Sequence, residues 1–398
     1  MKRFSWILTA LVLALAACGT PKGPGGLTNH AAFDPAVMEQ ELRATYEGKV
    51  VGFAYAINHK GQLARSGGWG YARRPADGDL PMTDGTRVHL ASVSKMVNAV
   101  YFLRTLRLAR AWFPQMQLGL DDAVWPWLPD GWVQGLGFAG SDGVTFRELL
   151  MRTSGLRQMW DAMSEADRKN WGNDWDGLAF VVANGALPIP DGQDVESYRA
   201  YKNANHALFR ILIPRIYERM GLMVFTKVNR ATAGGAYLSF LNSFVMKTVG
   251  IDRRVDCRYD RSGNYALYYD LDGPRTQGLV FDREDAGCGG HAGLYMSALE
   301  LARLLAYARH SDELLGEPER AAMHAYALGW YDRENAGDEA SARLRKGGLW
   351  RTYYEGKQTN PGALAETRTC VIALPGKVEA VLLINSSLAP ARRRRAAA

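Results

Sequence analysis

The chain has 398 residues, 47% of them hydrophobic, with 48 basic and 41 acidic side chains and a net charge of +7. Six of the positive charges are Lys2, Arg3 and Arg392 to Arg395, so the intervening body is close to neutral and lacks the basic footprint of a nucleic-acid binder. The 4 scattered cysteines fit neither a disulfide scaffold nor a zinc site, and the 7 histidines show no paired ligand spacing, so neither a metal nor another cofactor is expected.

In chain order, Met1-Lys-Arg3, the apolar run Phe4 to Ala14 and the small residues up to Cys18 describe a secretory signal over 1–18. The apolar run is too short to span a bilayer comfortably. Cys18 resembles the bacterial lipobox cysteine, which predicts lipidation there and a protein held on a membrane without a spanning helix; a plain signal peptide with an incidental cysteine is the alternative. Gly19 in place of aspartate points to the outer membrane, facing the periplasm. Residues 19–30 read as a flexible tether, 31–388 as the folded body, and 389–398 as a solvated basic tail that contacts anionic lipid at most.

Asp34-Pro35 is an N-cap followed by proline at the first helical position, opening a helix through Met38, Leu42 and Tyr46. Val50 to Ile57 and Gln62 to Tyr71 read as strands joined by a turn at His59-Lys-Gly61. A helix runs from Ser94 to about Leu108, with Val97, Val100, Tyr101, Leu103 and Leu106 on its apolar side. Helical patterns broken by loops follow to about Leu305, among them Asn205 to Met220 and Gly235 to Val249. Strands return at Ala327 to Tyr331, Ala342 to Leu349, Thr367 to Leu374 and Val378 to Asn385. This order predicts an α+β fold: one sheet built from both chain ends (about 31–90 and 310–388), flanked by helices, with a mainly helical insertion over about 91–309. A Cys257–Cys288 bridge is permitted in an oxidising compartment, and geometry decides it.

Ser92 is the only serine with a lysine three positions on, Lys95, at the start of a helix. That spacing puts a hydroxyl and an amine side by side, which a serine nucleophile needs if lysine is to help take its proton. Downstream come the only Tyr-x-Asn, Tyr201-Lys-Asn203, and the only Lys-x-Gly, Lys346-Gly347-Gly348.

The order of these three motifs resembles that of the serine beta-lactamase-related family, which holds class C beta-lactamases, D-alanyl-D-alanine carboxypeptidases and several esterases. Leu120 to Pro129, Val144 to Leu156, Gly289 to Ser297, Tyr326 to Trp330 and Leu374-Pro375 with Leu383 to Asn385 resemble further family segments. The resemblance implies a beta-lactamase/transpeptidase-like fold with an antiparallel sheet. It implies Ser92 as nucleophile, with its own amide and that of Leu349 binding the oxyanion. Partial burial of Lys95 would favour its neutral form. Tyr201 would be a general base or proton relay, its phenolate favoured by Lys95 and Lys346. Asn203 would orient Lys95 and meet the substrate carbonyl, Lys346 would attract a substrate carboxylate or assist Tyr201, and Gly347 and Gly348 would clear the strand for substrate. Two positions depart from the pattern: Arg152 replaces the usual histidine, and Gly347 replaces the threonine of the lactamase Lys-Thr-Gly. The reading is a periplasmic, membrane-anchored serine hydrolase working through an acyl-enzyme on a small ester, a peptidoglycan-derived D-amino-acid peptide or a beta-lactam-like amide, with efficient beta-lactamase activity disfavoured. Its rival is a non-catalytic envelope lipoprotein that keeps the fold as a binding or scaffold module. Trp160, Trp171 and Trp175 read as loop-packing residues ahead of a sugar- or peptide-stacking surface.

Overall fold

A computed structural model describes residues 33–132, 143–187, 201–223, 226–271, 277–280, 288–334, 342–353 and 364–388. The expected signal, Cys18, the tether and the basic tail lie outside them. Asp34 caps α1 (Pro35–Tyr46): its Oδ1 accepts from the Ala36 amide at 2.8 Å, one of the amides that a helix start leaves without a partner. β1 (Gly52–His59) and β2 (Gln62–Arg73) form a hairpin. Its two turn residues, Lys60 and Gly61, have φ of 55° and 76°, the double left-handed turn that matches strand twist.

β1 then pairs with the last strand of the chain, β9 (Val378–Ile384), in antiparallel register from Phe53 opposite Ile384 to His59 opposite Val378. Adding β3 (Leu80–Pro81), β6 (Asp332–Glu334), β7 (Arg343–Tyr353) and β8 (Leu364–Leu374), the sheet has the order β3-β2-β1-β9-β8-β7-β6, antiparallel throughout. One sheet is thus built from both chain ends.

Strand periodicity gives the sheet two cores. Phe53, Tyr55 and Ile57 pack with Leu382 and Ile384 against Met38, Leu42 and Tyr46 of α1. Ala54 and Ala56 face the other way, into a larger core, where their small side chains let α8 (Ala298–His310) lie on β1 and β9. Between the two sheet halves the chain supplies α2 (Ser94–Trp112), α3 (Phe146–Met151), α4 (Leu156–Ala162), α5 (Trp175–Asn184), α6 (Phe209–Arg219) and α7 (Ala233–Leu241), with α9 (Glu317–Ala325) following α8. Helix α2 is buried on nearly every side and packs against α6.

Three expected elements differ. The helix from Asn205 is interrupted at Leu208, between Ala204–Ala207 and α6. The helix from Gly235 stops at Leu241 and continues as one widened turn, Asn242–Met246. There the Asn242 amide donates to the carbonyls of both Leu238 and Val255, at 2.7 and 2.9 Å, and its Oδ1 accepts from the Val255 amide, so the side chain ties a loop to the helix end. Ala327 to Tyr331 is a turn, with φ of 48° at Ala327 and 80° at Gly329. A Cβ on Gly329 would stand 2.7 Å from Ala99 Cβ and 3.0 Å from the Lys95 carbonyl, so this segment must press against α2 before β6 begins. Cys257 and Cys288 form a disulfide, with Cα atoms 5.6 Å apart.

Candidate active site

Ser92 sits in a single tight turn, Ala91–Val93, that runs directly into α2 at Ser94. The turn needs Ala91 at φ 47°, a left-handed conformation that costs a residue with a Cβ about 1–2 kcal/mol. Its surroundings hold it there. The two-stranded ladder of β4 (Val88–His89) and β5 (Tyr295–Met296) fixes the chain just before it; the Leu90 amide donates to the Leu294 carbonyl at 2.8 Å, and Thr369 Oγ1 on β8 donates to the Leu90 carbonyl at 2.7 Å.

One helical turn on, Lys95 is fully buried. Its Nζ lies 3.1 Å from Ser92 Oγ, 2.8 Å from Asn203 Oδ1 and 2.7 Å from the carbonyl oxygen of His291. Burial first, and the Arg152 charge second, hold its pKa well below the ordinary 10.5. A neutral amine has two N–H donors and one lone pair. Asn203 Oδ1 and the His291 carbonyl can only accept, so they take the two N–H groups. The lone pair is left for the one neighbour with a proton to give, the Ser92 hydroxyl.

Tyr201 Oη lies 2.5 Å from Ser92 Oγ. The ring stands at the mouth of the site, 37% exposed, among three basic side chains: its centroid is 4.8 Å from Lys95 Nζ, 5.4 Å from Lys346 Nζ and 5.9 Å from Arg152 Cζ. The expected shift toward phenolate is nonetheless reversed. Desolvation of the hydroxyl, followed by Tyr331, raises the pKa well above 10, and the Ser92 bond and the Arg152 charge oppose this without overcoming it. With its pKa raised in this way, Tyr201 stays a phenol at neutral pH.

β7 closes the site. Lys346 is buried, its Nζ 3.3 Å from the Tyr331 ring centroid. Gly348 faces the nucleophile: a Cβ there would lie 2.4 Å from Thr369 Oγ1, 2.6 Å from the Leu90 carbonyl and 2.9 Å from the Ser92 amide nitrogen. Only glycine lets the strand come so close. The Tyr331 amide donates to the Arg345 carbonyl across the β6 edge, and by the two-residue period Gly347 and Leu349 turn their amides to that same edge. Leu349 itself is 42% exposed.

The fold thus gathers Ser92, Lys95, Tyr201, Asn203, Lys346 and Gly348 into one cluster, with Gly347 and Leu349 on the adjoining strand edge. Three neighbours were not anticipated in these roles. His291 contributes a main-chain carbonyl. Arg152 ends α3 at φ 67° and donates from Nη2 to the carbonyls of Trp330 and Tyr331, at 3.3 and 3.2 Å. Tyr331 is stacked between Arg152, 5.2 Å away, and Lys346, with its ring 5.4 Å from that of Tyr201. Lys202, between Tyr201 and Asn203, has its Nζ 3.1 and 4.7 Å from the ring centroids of Trp160 and Trp171. Trp171 and Trp175 pack on the main core, the loop-packing role expected of them. Among the described residues no group of histidine, cysteine and carboxylate side chains is arranged to hold a metal.

Residues 36–232 match the protein family described as Beta-lactamase. Among solved structures, the chain is similar to EstCE1, described as a hydrolase with promiscuous acyltransferase activity (TM-score 0.60, 20% identity, covering 87% of this chain and 91% of that one). It is also similar to the D-alanine carboxypeptidase AmpC from Burkholderia cenocepacia (TM-score 0.57, 16% identity, 88% and 92%) and to FmtA from Staphylococcus aureus (TM-score 0.58, 15% identity, 95% and 89%). At these identities the likeness is one of fold. No curated protein matches.

Proposed function

The chain belongs to the serine beta-lactamase-related family, and from that premise and the geometry of the cluster we propose a serine hydrolase that works through an acyl-enzyme on Ser92. The observation that carries the reading is the buried Lys95 amine, 3.1 Å from Ser92 Oγ, with its other two bonds made to pure acceptors. Ser92 Oγ attacks an ester or amide carbonyl as its proton passes to the Lys95 lone pair. The amides of Ser92 and Leu349 receive the oxyanion. Tyr201, held as a phenol, donates to the leaving group as the carbonyl–heteroatom bond breaks, which leaves its oxygen ready to accept a proton while Lys95 keeps the one taken from Ser92. Water then attacks the acyl carbon as its proton passes to Tyr201, and Lys95 returns its proton to Ser92 Oγ as the acyl–oxygen bond breaks and the acid leaves.

The substrate we propose is a small ester or a D-amino-acid peptide or amide. The relatives described as a hydrolase and a carboxypeptidase support that range. Gly347 offers no hydroxyl to a substrate carboxylate, and a missing hydrogen bond to a charged group costs about 1.5–3 kcal/mol, which disfavours rapid beta-lactam turnover. By the same proposal Cys18 carries the lipid that holds the enzyme at the outer membrane, facing the periplasm. Among the described residues no helix is long and apolar enough to cross a membrane.

Steady-state assays of the mature protein on a short-chain nitrophenyl ester and on nitrocefin test the reading. Ester hydrolysis lost on Ser92→Ala, with weak or absent nitrocefin turnover, is the expected result. Near wild-type hydrolysis by Ser92→Ala would contradict the mechanism. A nitrocefin kcat/KM above about 10⁵ M⁻¹s⁻¹ would contradict the substrate class and make this an efficient lactamase.

A further inference from the structure

The disulfide lies at one end of a short segment whose other end is bonded to Leu90, the residue just before the nucleophile turn. Cys288 opens the segment and Leu294 ends it, accepting from the Leu90 amide; the next residue, Tyr295, pairs with His89 on β4 and donates its amide to the Asp256 carbonyl, one residue from Cys257. Between these ends the chain folds tightly on itself: the Gly289 amide donates to the Ala292 carbonyl at 2.9 Å and the His291 amide to the Gly289 carbonyl at 2.8 Å. Three glycines make this possible, the first being Gly289 at φ 83°. Gly290, at φ 68°, would place a Cβ 2.4 Å from the His206 carbonyl, and Gly293, at φ 107°, would place one 3.0 Å from Cys257 Sγ. What the segment presents to the site is one atom, the His291 carbonyl oxygen, 2.7 Å from Lys95 Nζ.

We propose that the Cys257–Cys288 bridge is a positioning device for Lys95: it fixes the Cys288–Leu294 turn so that the His291 carbonyl takes one N–H of the amine, and its reduction puts the enzyme in a slow state. The inference rests on the reading of Lys95 as the base for Ser92. An amine with two N–H groups and one lone pair has its orientation set by the two acceptors it must satisfy. With Asn203 alone, the amine turns about its last bond and the lone pair leaves the serine hydroxyl; a displacement of about 1 Å at a reacting group costs up to 10²-fold in rate. The bridge belongs to an oxidising compartment. A dithiol such as dithiothreitol supplies the two electrons for its reduction: the protein disulfide becomes two thiols, and the reagent's two thiols close into a cyclic disulfide.

The test compares the Cys257→Ala, Cys288→Ala double variant and dithiothreitol-reduced wild type with the oxidised protein, using a short nitrophenyl ester well below each melting midpoint. The expected result is a kcat lower by about tenfold or more with KM within about threefold, recovered in the wild type on reoxidation. Leu42→Ala, which opens a cavity beneath α1 on the opposite face of the sheet, is the control: it should melt lower with kcat unchanged. A folded double variant, or a reduced wild type, with kcat within about twofold of the oxidised protein would overturn the inference, as would an equal loss of kcat in Leu42→Ala, which would reduce the bridge to a general stabiliser. Ser92→Ala, assayed in parallel, separates the two levels. Hydrolysis that survives it overturns the serine mechanism itself, whereas hydrolysis lost there but untouched by removal of the bridge overturns only the role of the bridge.

Discussion

Lys95, 4.8 Å from the Tyr201 ring centroid, and Lys202, the next residue in sequence after Tyr201, both have pKa values depressed by burial, yet only one is placed to act as a base. Lys95 is fully buried among oxygens: Ser92 Oγ, Asn203 Oδ1 and the His291 carbonyl. Lys202 is partly exposed against the faces of Trp160 and Trp171, and burial first, then the Arg157 charge, lower its pKa to about 8. Ring faces attract an ammonium ion and have no proton to give, so Lys202 remains mostly charged at pH 7 and fastens the tryptophan-bearing segment to the body. A depressed amine is a common result of burial. It becomes a base only where its lone pair meets an acidic hydrogen.

The largest effect expected is at Lys95. Lys95→Ala should lower kcat for a short ester by about 10³-fold, measured by steady-state kinetics, and a loss under tenfold would dissolve the distinction from Lys202. Stability should move the opposite way in Lys95→Met. The native pKa of Lys95 lies below its unfolded value of 10.5, so between the two the unfolded chain binds more protons and native stability rises with pH. Keeping this amine neutral therefore costs stability at pH 7, the cost vanishes as pH rises through 10.5, and a buried methionine escapes it. Thermal melts at pH 7 should place Lys95→Met above the wild type.

Tyr201→Phe is next, with turnover slower by about 10²-fold; a change below about threefold would make the phenol a packing residue. Arg152→Gln should act through Lys95. Removing a cation that depresses the amine raises the Lys95 pKa, so the acidic limb of the kcat/KM profile should move to higher pH, with a modest loss at pH 7. An unmoved limb would show that Arg152 serves only the carbonyls of Trp330 and Tyr331. The smallest effect should come from Lys202→Met: kcat and KM within about twofold, and no more than about 1–2 kcal/mol of stability lost with the cation–π contacts, read by denaturant titration.

Much of this arrangement was legible in the sequence because it is local. Ser92 and Lys95 are one helical turn apart, and Tyr201 and Asn203 lie two apart just before the start of a helix, so spacing alone brings their side chains together. The hairpin turn at Lys60-Gly61, the Asp34 cap and the alternating strands at both ends likewise follow from short-range rules. Tertiary encounters were not legible. Tyr331 reaches Tyr201 only because Ala327 and Gly329 adopt left-handed turns that press the chain onto α2, and the alanine gives no composition signal for that. Arg152 was visible as a departure from a family pattern, but its partners, Trp330 and Tyr331, lie 178 and 179 residues on. The His291 contribution is a main-chain carbonyl, which no side-chain pattern encodes. The Tyr201 charge state differs from the sequence expectation for a related reason: the two nearby lysines favour a phenolate, but the burial that creates the site raises the phenol's own pKa and lowers that of Lys95.

The central claim is that a neutral Lys95 takes the proton of Ser92, and the pH dependence of covalent labelling tests it most directly. Mature protein is treated with a fluorophosphonate across a pH series, the modified peptide is identified by mass spectrometry, and the rate is compared with that of Lys95→Ala. The account predicts label on Ser92 alone, at a rate that rises along a limb with its midpoint well below 10.5 and then levels off, and that falls, losing this limb, in Lys95→Ala. Label on another residue, or a wild-type limb that follows an ordinary lysine, would contradict it.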